Sequence, residues 1–284
     1  MIPGKSESVG PTPGESSGHD VLRIVIVGPG RAGGSIALAA TASGHHVVGV
    51  LSRSGAQGLG DELSWDDPLP ESDILLVAVK DSAIGEVVER LQGLVHDVRV
   101  IAHVSGFVST DVLAPLRSRV TAVGGFHPLQ TLPDAQRGSR ALASSYVGVG
   151  GDPRAMELLG ALGASIGMIP FRLDDAARPA YHAAAAATAN FVVTALALAG
   201  DLFEAAGVDS KVARPLAERV LANVFETDPG SALTGPIARG DLETVRGHLA
   251  AARGVSESVG EQYRLVAQAT AIRAGRAEDI DAWM

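Results

Sequence analysis

Residues 22–33 read LRIVIVGPGRAG, a hydrophobic run that leads directly into a glycine-rich turn. The run is rich in β-branched residues, which favours a buried strand, and the GxGxxG pattern after it opens a helix-like stretch. In such a turn the first glycine permits a sharp bend, the second leaves room for a pyrophosphate, and the third allows close helix–strand packing. The pattern therefore predicts a dinucleotide site, with a purely structural turn as the alternative. Its candidate residues are Gly28, Pro29, Gly30, Arg31, Ala32 and Gly33.

Strand-like and helix-like segments alternate from residue 21 to about residue 172. Alternation of this kind is typical of βαβ units around a parallel sheet. We therefore predict an α/β fold whose first domain, residues 21–172, holds a doubly wound sheet. The predicted strands cover residues 22–27, 46–51, 73–79, 99–104, 121–126, 145–149 and a segment near 165–169. The predicted helices cover residues 32–43, 82–92, 109–116 and 153–162.

Beyond residue 172 the strand signals stop, and apolar residues recur at helical spacing. This change predicts a second, all-helical domain over residues 173–284, which we expect to complete a substrate site. Its predicted helices cover residues 175–206, 210–227, 241–251 and 257–274.

The first helix of the second domain is apolar on nearly every side, and residues 183–199 carry no charge. A helix of this kind is expected to be buried, either by its own domain or by a partner chain. We therefore expect a homodimer that forms through the helical domain. A membrane span is the alternative for this segment, but polar residues interrupt it and the expectation is no membrane contact. The interrupting residues are Thr188, Asn190 and Thr194.

Composition excludes several classes of function. The formal net charge of −9 lacks the basic footprint of a nucleic-acid-binding protein. The chain contains no cysteine, which excludes disulfides and thiolate chemistry and fits the cytoplasm, and its eight histidines show no metal-ligand spacing. Residues 1–20 are rich in Gly, Pro and Ser without an apolar core, so we predict a disordered leader.

The end of the second strand indicates which dinucleotide is bound. Enzymes that use NAD carry an acidic residue here for the ribose 2′-hydroxyl, but this chain has Ser52, Arg53 and Ser54. A guanidinium between two hydroxyls suits the 2′-phosphate of NADP, because it can grip phosphate with two parallel hydrogen bonds. Val79 and Lys80, which end the third strand, are expected beside the cofactor. The alternative for both basic residues is a solvated surface position.

Polar residues that follow the next two strands are candidates for chemistry, since ligands of open α/β sheets bind beyond the carboxyl ends of the strands. Ser105 and Gly106 are expected to face the nicotinamide. One wall of the substrate pocket is predicted from His127, Gln130 and Thr131. A histidine that only caps a turn is the alternative for His127, and for nearby His103 a structural role is the leading interpretation.

The first helix of the second domain adds Tyr181, His182 and Asn190 to an otherwise alanine-rich segment. His182 and Asn190 are eight residues apart, so on an α-helix both can face one cleft. We hypothesise that His182 or His127 gives a proton to the developing anion and that Asn190 orients the substrate. Structural hydrogen bonds inside a dimer core are the alternative.

The segment 233–241 reads LTGPIARGD and leads into a helix. Thr234, Gly235 and Arg239 are predicted to bind a substrate carboxylate, and Asp241 is predicted to cap the helix that follows. An ordinary helix entry without ligand binding is the alternative.

Four segments, GPGRAG, FHPLQT, YHAAAAATAN and TGPIARGD, resemble a bacterial family of Rossmann-like oxidoreductases whose C-terminal domain was long classed as of unknown function. The family is similar in architecture to pyrroline-5-carboxylate reductase, ketopantoate reductase and the 3-hydroxyacid dehydrogenases. The resemblance implies a dimeric NADP-dependent reductase of a small carboxylated carbonyl compound. Ketopantoate reduction to pantoate, in pantothenate biosynthesis, is the leading candidate.

Two other functions stay open. One is a pyrroline-5-carboxylate-type imine reductase, which would share the fold, the cofactor and the anion site. The other is a non-catalytic NADP-binding sensor or scaffold, because a fold does not determine a function. The helix at 175–206 lacks the lysine on which the better-known ketopantoate reductases and hydroxyacid dehydrogenases rely. The catalytic assignment from the resemblance therefore applies to a region rather than to individual residues.

Overall fold

A computed structural model describes residues 20–227 and 230–279. The leader predicted over residues 1–20 lies, apart from Asp20, outside the described residues. The chain separates into two compact units, residues 1–185 and 186–284. The boundary predicted after residue 172 therefore differs from the observed division, which assigns the first turns of the long apolar helix to the first unit.

The first unit is built on one eight-stranded sheet with the order β3-β2-β1-β4-β5-β6-β7-β8. Neighbouring strands are parallel except for the antiparallel pair β6 and β7. Six predicted strands are present, the strand predicted near 165–169 lies a few residues later as β8, and β3 was not predicted. The strands are β1 (Arg23–Val27), β2 (His46–Leu51), β3 (Glu62–Leu63), β4 (Ser72–Val77), β5 (Val98–His103), β6 (Val120–Leu129), β7 (Tyr146–Gly151) and β8 (Ile169–Arg172).

Helices cover both faces of this sheet, which confirms the predicted doubly wound architecture. They are α1 (Arg31–Ala42), α2 (Ile84–Leu91), α3 (Ala135–Leu142) and α4 (Pro153–Ser165), together with a 3-10 helix at Thr110–Leu116. Alternate residues of β1 enter opposite cores: Ile24 and Ile26 pack with α1 and α4, whereas Val25 packs with α2. Each such fully buried aliphatic side chain stabilises the fold by about 1.5–3 kcal/mol.

Two helical segments differ from the predictions. The segment predicted as an ordinary helix at 109–116 is a 3-10 helix that contains Pro115, a residue that cannot donate the α-helical hydrogen bond. Helix α3 was not predicted. It packs against α1 at short range, and a Cβ built on Gly34 would lie 2.8 Å from the Cβ of Ala135. A Cβ on Gly138 would overlap with Ser35.

A continuous helical run, Asp175–Ala205, passes from the first unit into the second. It comprises a 3-10 turn, α5 (Arg178–Ala186), a π-helical segment at Ala187–Phe191 and α6 (Val192–Ala205). The remaining helices are α7 (Ala213–Glu226), α8 (Pro236–Arg239), α9 (Leu242–Val255) and α10 (Glu257–Arg273). The all-helical second unit is as predicted, but α8 forms inside the segment that was expected to be a loop.

The apolar run is not buried by its own chain. By length and composition it could cross a membrane, and only 6% of its most hydrophobic window is buried. Phe191 is 69% exposed and Val193 is 67% exposed, and Leu198 is the one buried residue of α6. Burial by its own domain was therefore the wrong alternative, because α9 and α10 cover only one narrow face of α6.

Candidate functional site

The glycine turn after β1 has the shape that the GxGxxG pattern predicts. Gly28 has a φ of +93°, a backbone conformation that favours glycine, and a Cβ there would lie 2.8 Å from the carbonyl oxygen of Ala78. A Cβ on Gly33 would overlap with the carbonyl oxygen of Gly28. Gly30 differs, because no described atom lies within 4 Å of its Cβ position. The turn is thus closed at its first and third glycines and open at its second.

The N-terminus of α1 is available to an anion. Gly30 occupies the N-cap position without a side-chain hydrogen bond, and the first turn contains no acidic residue. Pro29 is buried, whereas Arg31 is exposed and Ala32 is half-buried. Free N–H groups, the positive end of the helix dipole and open space beside Gly30 fit a bound pyrophosphate.

The residues after β2 leave the predicted 2′-phosphate position accessible. Ser52 and Ser54 are joined through their hydroxyls at 3.1 Å, and the Ser52 oxygen accepts the N–H of Ser54 at 2.9 Å. Arg53 between them is exposed, and no hydrogen bond or ion pair to it is found among the described residues. After β4, Val79 lines the glycine turn, while Lys80 is exposed at the start of a 3-10 turn.

Two histidines and one tyrosine meet beyond the carboxyl end of β5, beside the last residues of β6. Strand β6 carries His127, and α5 carries Tyr181 and His182. The Tyr181 hydroxyl lies 2.8 Å from Nδ1 of His127, and the two rings are perpendicular with centroids 5.4 Å apart. The rings of His127 and His182 are 5.9 Å apart, also edge to face. The prediction that these histidines share one site is therefore supported by their geometry.

Gly106 separates the two histidines. A Cβ at this position would lie 2.7 Å from Nε2 of His127 and 2.8 Å from Nδ1 of His182. Nδ1 of His182 is buried and has no hydrogen-bond partner. Both ring nitrogens therefore approach the same small region above the backbone of Gly106, where a side chain would displace one ring or the other.

A fully buried arginine lies beneath this loop. Arg178 donates from Nη1 to the Ser105 carbonyl at 2.9 Å and from Nε to Asp175 Oδ1 at 2.5 Å. The other Asp175 oxygen accepts from the backbone N–H of Thr110 at 3.0 Å and from its hydroxyl at 2.5 Å. The guanidinium of Arg178 occupies the space where a side chain on Gly125 would lie. The hydrogen bonds of Asp175 and Arg178 form a strut that joins the start of α5 to the loop that carries Gly106. The sequence did not indicate this strut.

The environment makes His127 and Tyr181 neutral at physiological pH. Burial first, and then the proximity of His182 and Arg178, lowers the pKa of His127 to about 4. Burial raises the pKa of Tyr181 to about 12. His103, fully buried at the end of β5, has its pKa lowered to about 4 by burial and by Arg178. His127 is therefore a neutral hydrogen-bonding group rather than a standing imidazolium.

Family comparisons divide the chain earlier than the fold does, because the second match begins before β7 and includes the last two strands of the first unit. Residues 10–128 match the Rossmann-like domain family, and residues 145–270 match the family described as a domain of unknown function, DUF2520. The chain is thus similar to the Rossmann-like domain family in its first part and to the DUF2520 family in its second part. No curated protein sequence matches this chain.

Several solved structures resemble this chain over most of its length. A Bacteroides fragilis protein assigned as an NADP oxidoreductase is 25% identical, with a TM-score of 0.75 over 89% of this chain and 98% of its own. A reductive aminase from Aspergillus terreus, in complex with NADPH and ethyl levulinate, is 18% identical with a TM-score of 0.61 (93% and 100% covered). An imine reductase from Streptomyces aurantiacus is 13% identical with a TM-score of 0.65 (92% and 95% covered). The last two likenesses concern the fold alone.

Three predicted residues of the first unit have local hydrogen bonds. The Ser105 hydroxyl accepts the backbone N–H groups of Phe107 at 3.1 Å and Val108 at 3.0 Å, so it shapes the loop, and its catalytic role stays a prediction. Gln130 and Thr131 are exposed and bond to each other, because the Gln130 Oε1 accepts the Thr131 N–H at 2.8 Å. They do not bond to the histidine pair.

The remaining predicted residues belong to the second unit. Asn190 is exposed in the π-helical segment, so the α-helical spacing that aligned it with His182 does not apply there. Arg239 donates to the Thr234 carbonyl at 2.6 Å, and Gly235 is the N-cap of the four-residue helix α8. The predicted cap by Asp241 is confirmed through its hydrogen bonds to Thr244. Among the described residues no cluster could hold a metal ion.

Proposed function

We propose that this protein is an NADP-dependent oxidoreductase that reduces a C=O or C=N bond of a small substrate. One observation carries the proposal: neutral His127, paired with Tyr181, lies at the same edge of the sheet as an open glycine cradle. Ligands of doubly wound sheets bind at this edge. A cradle for a pyrophosphate and a hydrogen-bond donor for a reacting heteroatom are the two parts that such a reduction requires.

The residues that would hold the cofactor favour NADP over NAD. The open N-terminus of α1 suits the pyrophosphate, and Arg53 with its two neighbouring serines suits a 2′-phosphate. The Aspergillus terreus reductive aminase was solved with NADPH on a similar fold. When bound, NADPH supplies a hydride to the carbon of the substrate's double bond.

His127 would act on the other atom of that bond. With Nδ1 accepting from Tyr181, its proton resides on Nε2, and a neutral N–H can stabilise the negative charge that develops on oxygen or nitrogen. Arg178 is fully buried, and its Nε and Nη1 are both used inside the fold, whereas its Nη2 has no hydrogen-bond partner among the described residues. The carboxylate site predicted at Thr234, Gly235 and Arg239 stays a prediction.

Two substrates are proposed. The family resemblance favours ketopantoate, and the likeness to an imine reductase favours a cyclic imine such as pyrroline-5-carboxylate. NADPH and NADH oxidation should be followed by absorbance with each compound. We expect turnover with NADPH preferred. NADPH binding without turnover of any 2-oxo acid or cyclic imine would contradict the proposal and support the sensor alternative.

A matched pair of variants assigns the chemistry. Removal of a general acid lowers turnover by about 100-fold or more, so His127→Phe should do so. His96→Phe should leave turnover unchanged, because His96 is exposed just before β5, at the opposite edge of the sheet. Equal activity of the two variants would exclude His127 from the reaction.

We also propose a cytoplasmic homodimer that forms through the helical unit. No residue of α7 is buried within the chain, and Phe225 is 82% exposed. Together with Phe191 and Val193 this leaves more apolar surface than soluble monomers usually expose. Size-exclusion chromatography with light scattering should give the mass of two chains, and a stable monomer would contradict the proposal.

A further inference from the structure

The contacts of Tyr181 extend the proposed reaction beyond His127. Its ring packs edge-on against His127 and also contacts Phe171, with centroids 5.8 Å apart. These two contacts fix the direction of the phenol, whose oxygen lies 2.8 Å from Nδ1 of His127. A neutral phenol can donate or accept in this hydrogen bond, and where it donates, Nδ1 accepts and the imidazole proton is on Nε2.

The other ring nitrogen of the imidazole points toward Gly106. Nε2 lies 2.7 Å from the Cβ position of Gly106, in the region that the two histidines approach. The imidazole of His127 thus lies between the Tyr181 hydroxyl, at Nδ1, and the region above Gly106, at Nε2. His182 differs, because its buried Nδ1 has no hydrogen-bond partner among the described residues that could supply a proton.

We propose that Tyr181 supplies the proton that reaches the product, and that it acts through His127 without touching the substrate. This proposal rests on the proposed function. Tyr181 is therefore a positioning and relay residue, whereas His127 is the group that contacts the reacting atom.

The steps balance in atoms and electrons. The substrate carbon gains a hydride from the nicotinamide, which is oxidised, and the electrons of the π bond move to the oxygen or nitrogen. That atom forms a bond to the proton of His127 Nε2 as the Nε2–H bond breaks. Nδ1 gains the Tyr181 proton, which restores a neutral imidazole in its other tautomer. Nδ1 then returns its proton to the tyrosinate while Nε2 gains a proton from solvent, which restores the tyrosine and the starting tautomer. The reduction thus consumes one hydride and one solvent proton.

The surrounding charges favour a relay over a stored proton. The titratable and charged groups near His127 are His182 and Arg178 on α5, His103 on β5 and Asp81 after β4. Arg178 opposes a positive charge on His127, and burial lowers the His127 pKa to about 4. An imidazolium is therefore rare at neutral pH, so His127 can pass a proton on only if it receives another at the same time.

The kinetic test is Tyr181→Phe, which keeps the ring and removes only the hydroxyl. We expect kcat to fall by about 100-fold with KM for NADPH unchanged, as removal of a proton source would do. The solvent deuterium isotope effect should change with it, because proton transfer becomes the slow step. Two controls lose a phenol hydroxyl elsewhere: Tyr146→Phe, at the exposed first residue of β7, and Tyr263→Phe, which breaks a similar 3.0 Å bond to His248 Nδ1 in the second unit. Both should keep wild-type kcat.

A second measurement does not depend on turnover. Nitrogen-15 NMR of histidine-labelled protein reports the tautomer of His127, and we expect the Nε2–H form in wild type at neutral pH and a mixture in Tyr181→Phe. An Nδ1–H form or an imidazolium in wild type would overturn the relay. If His127→Phe abolishes turnover while Tyr181→Phe keeps it, the relay is wrong and the proposed function stands. If wild type binds NADPH and reduces nothing, the proposed function is wrong whatever the tautomer.

Discussion

Acid should destabilise this protein through His103, a histidine that cannot easily become charged in the folded state. The side chain is fully buried and neither ring nitrogen has a hydrogen-bond partner. Burial, and then Arg178, lowers its pKa from 6.5 to about 4, against smaller opposing effects of Asp175 and Asp81. Because the folded pKa lies below the unfolded one, the unfolded chain binds the proton first. Stability is therefore complete above about pH 6.5 and decreases as the pH falls toward 4.

The size of this loss follows from the two pKa values. Between pH 7 and pH 5 the unfolded histidine becomes almost fully protonated and the folded one does not, which lowers the free energy of unfolding by about 2 kcal/mol. His127 has its pKa lowered to a similar value, so the pair should account for roughly 4 kcal/mol. In a His103→Leu variant only the His127 contribution remains, and the loss between these two pH values should be about half as large.

Urea unfolding followed by circular dichroism at pH 7 and pH 5 measures this difference directly. Each variant is compared with itself at two pH values, so a general change in packing from His103→Leu does not affect the result. His96→Leu, at an exposed histidine, should show the same loss as wild type. If His103→Leu loses as much stability as wild type between the two pH values, His103 is charged in the fold and the burial argument is wrong.

Three further predictions concern the strut and the cofactor cradle. Asp175→Asn leaves the guanidinium of Arg178 buried without its counter-charge, and urea unfolding should show a loss of about 2 kcal/mol; an unchanged midpoint would contradict the strut. Arg53→Ala should weaken NADPH binding by about 10- to 100-fold in calorimetric titration and leave NADH nearly unaffected, since a phosphate contact is lost; equal losses would refute the 2′-phosphate assignment. Gly30→Ala should reduce NADPH binding with an unchanged melting temperature, whereas Gly33→Ala should lower that temperature, because only the second methyl meets the backbone.

Helices and strands were predictable wherever a segment was long enough to show a hydrophobic period. Six of the seven predicted strands exist where they were predicted, and His46–Leu51 was predicted to the residue, whereas the strand predicted near 165–169 begins only at Ile169. Strand β3 has two residues, too few for any periodic signal. Helix α3 carries only one large apolar side chain into the core, Leu142, and it packs on α1 through glycines at close range. Neither contact is visible in hydrophobic spacing.

The candidate site was predictable only in part, for a physical reason. Gly106 and His127 lie close together because the parallel strands β5 and β6 run toward the same edge of the sheet, a rule that sequence alone can apply, and α5 adds His182. Arg178 is different. It follows Asp175 by three residues at the start of a helix, and this spacing normally indicates an ion pair on the protein surface. Its burial depends on the space left by Gly125, on a strand more than fifty residues earlier. No sequence pattern near Arg178 indicates that Gly125 leaves this space.

Arg178 connects the stability and the chemistry of the first unit. Its guanidinium holds the Ser105 carbonyl, and hence the backbone of Gly106, beneath the two histidines. The same charge contributes to the low pKa of both His103 and His127. Because the fold keeps these histidines neutral, the unfolded chain binds more protons than the folded one at acidic pH. The free energy of unfolding therefore falls as the pH is lowered. The acid sensitivity of the fold and the neutral donor of the proposed reaction therefore have one electrostatic origin.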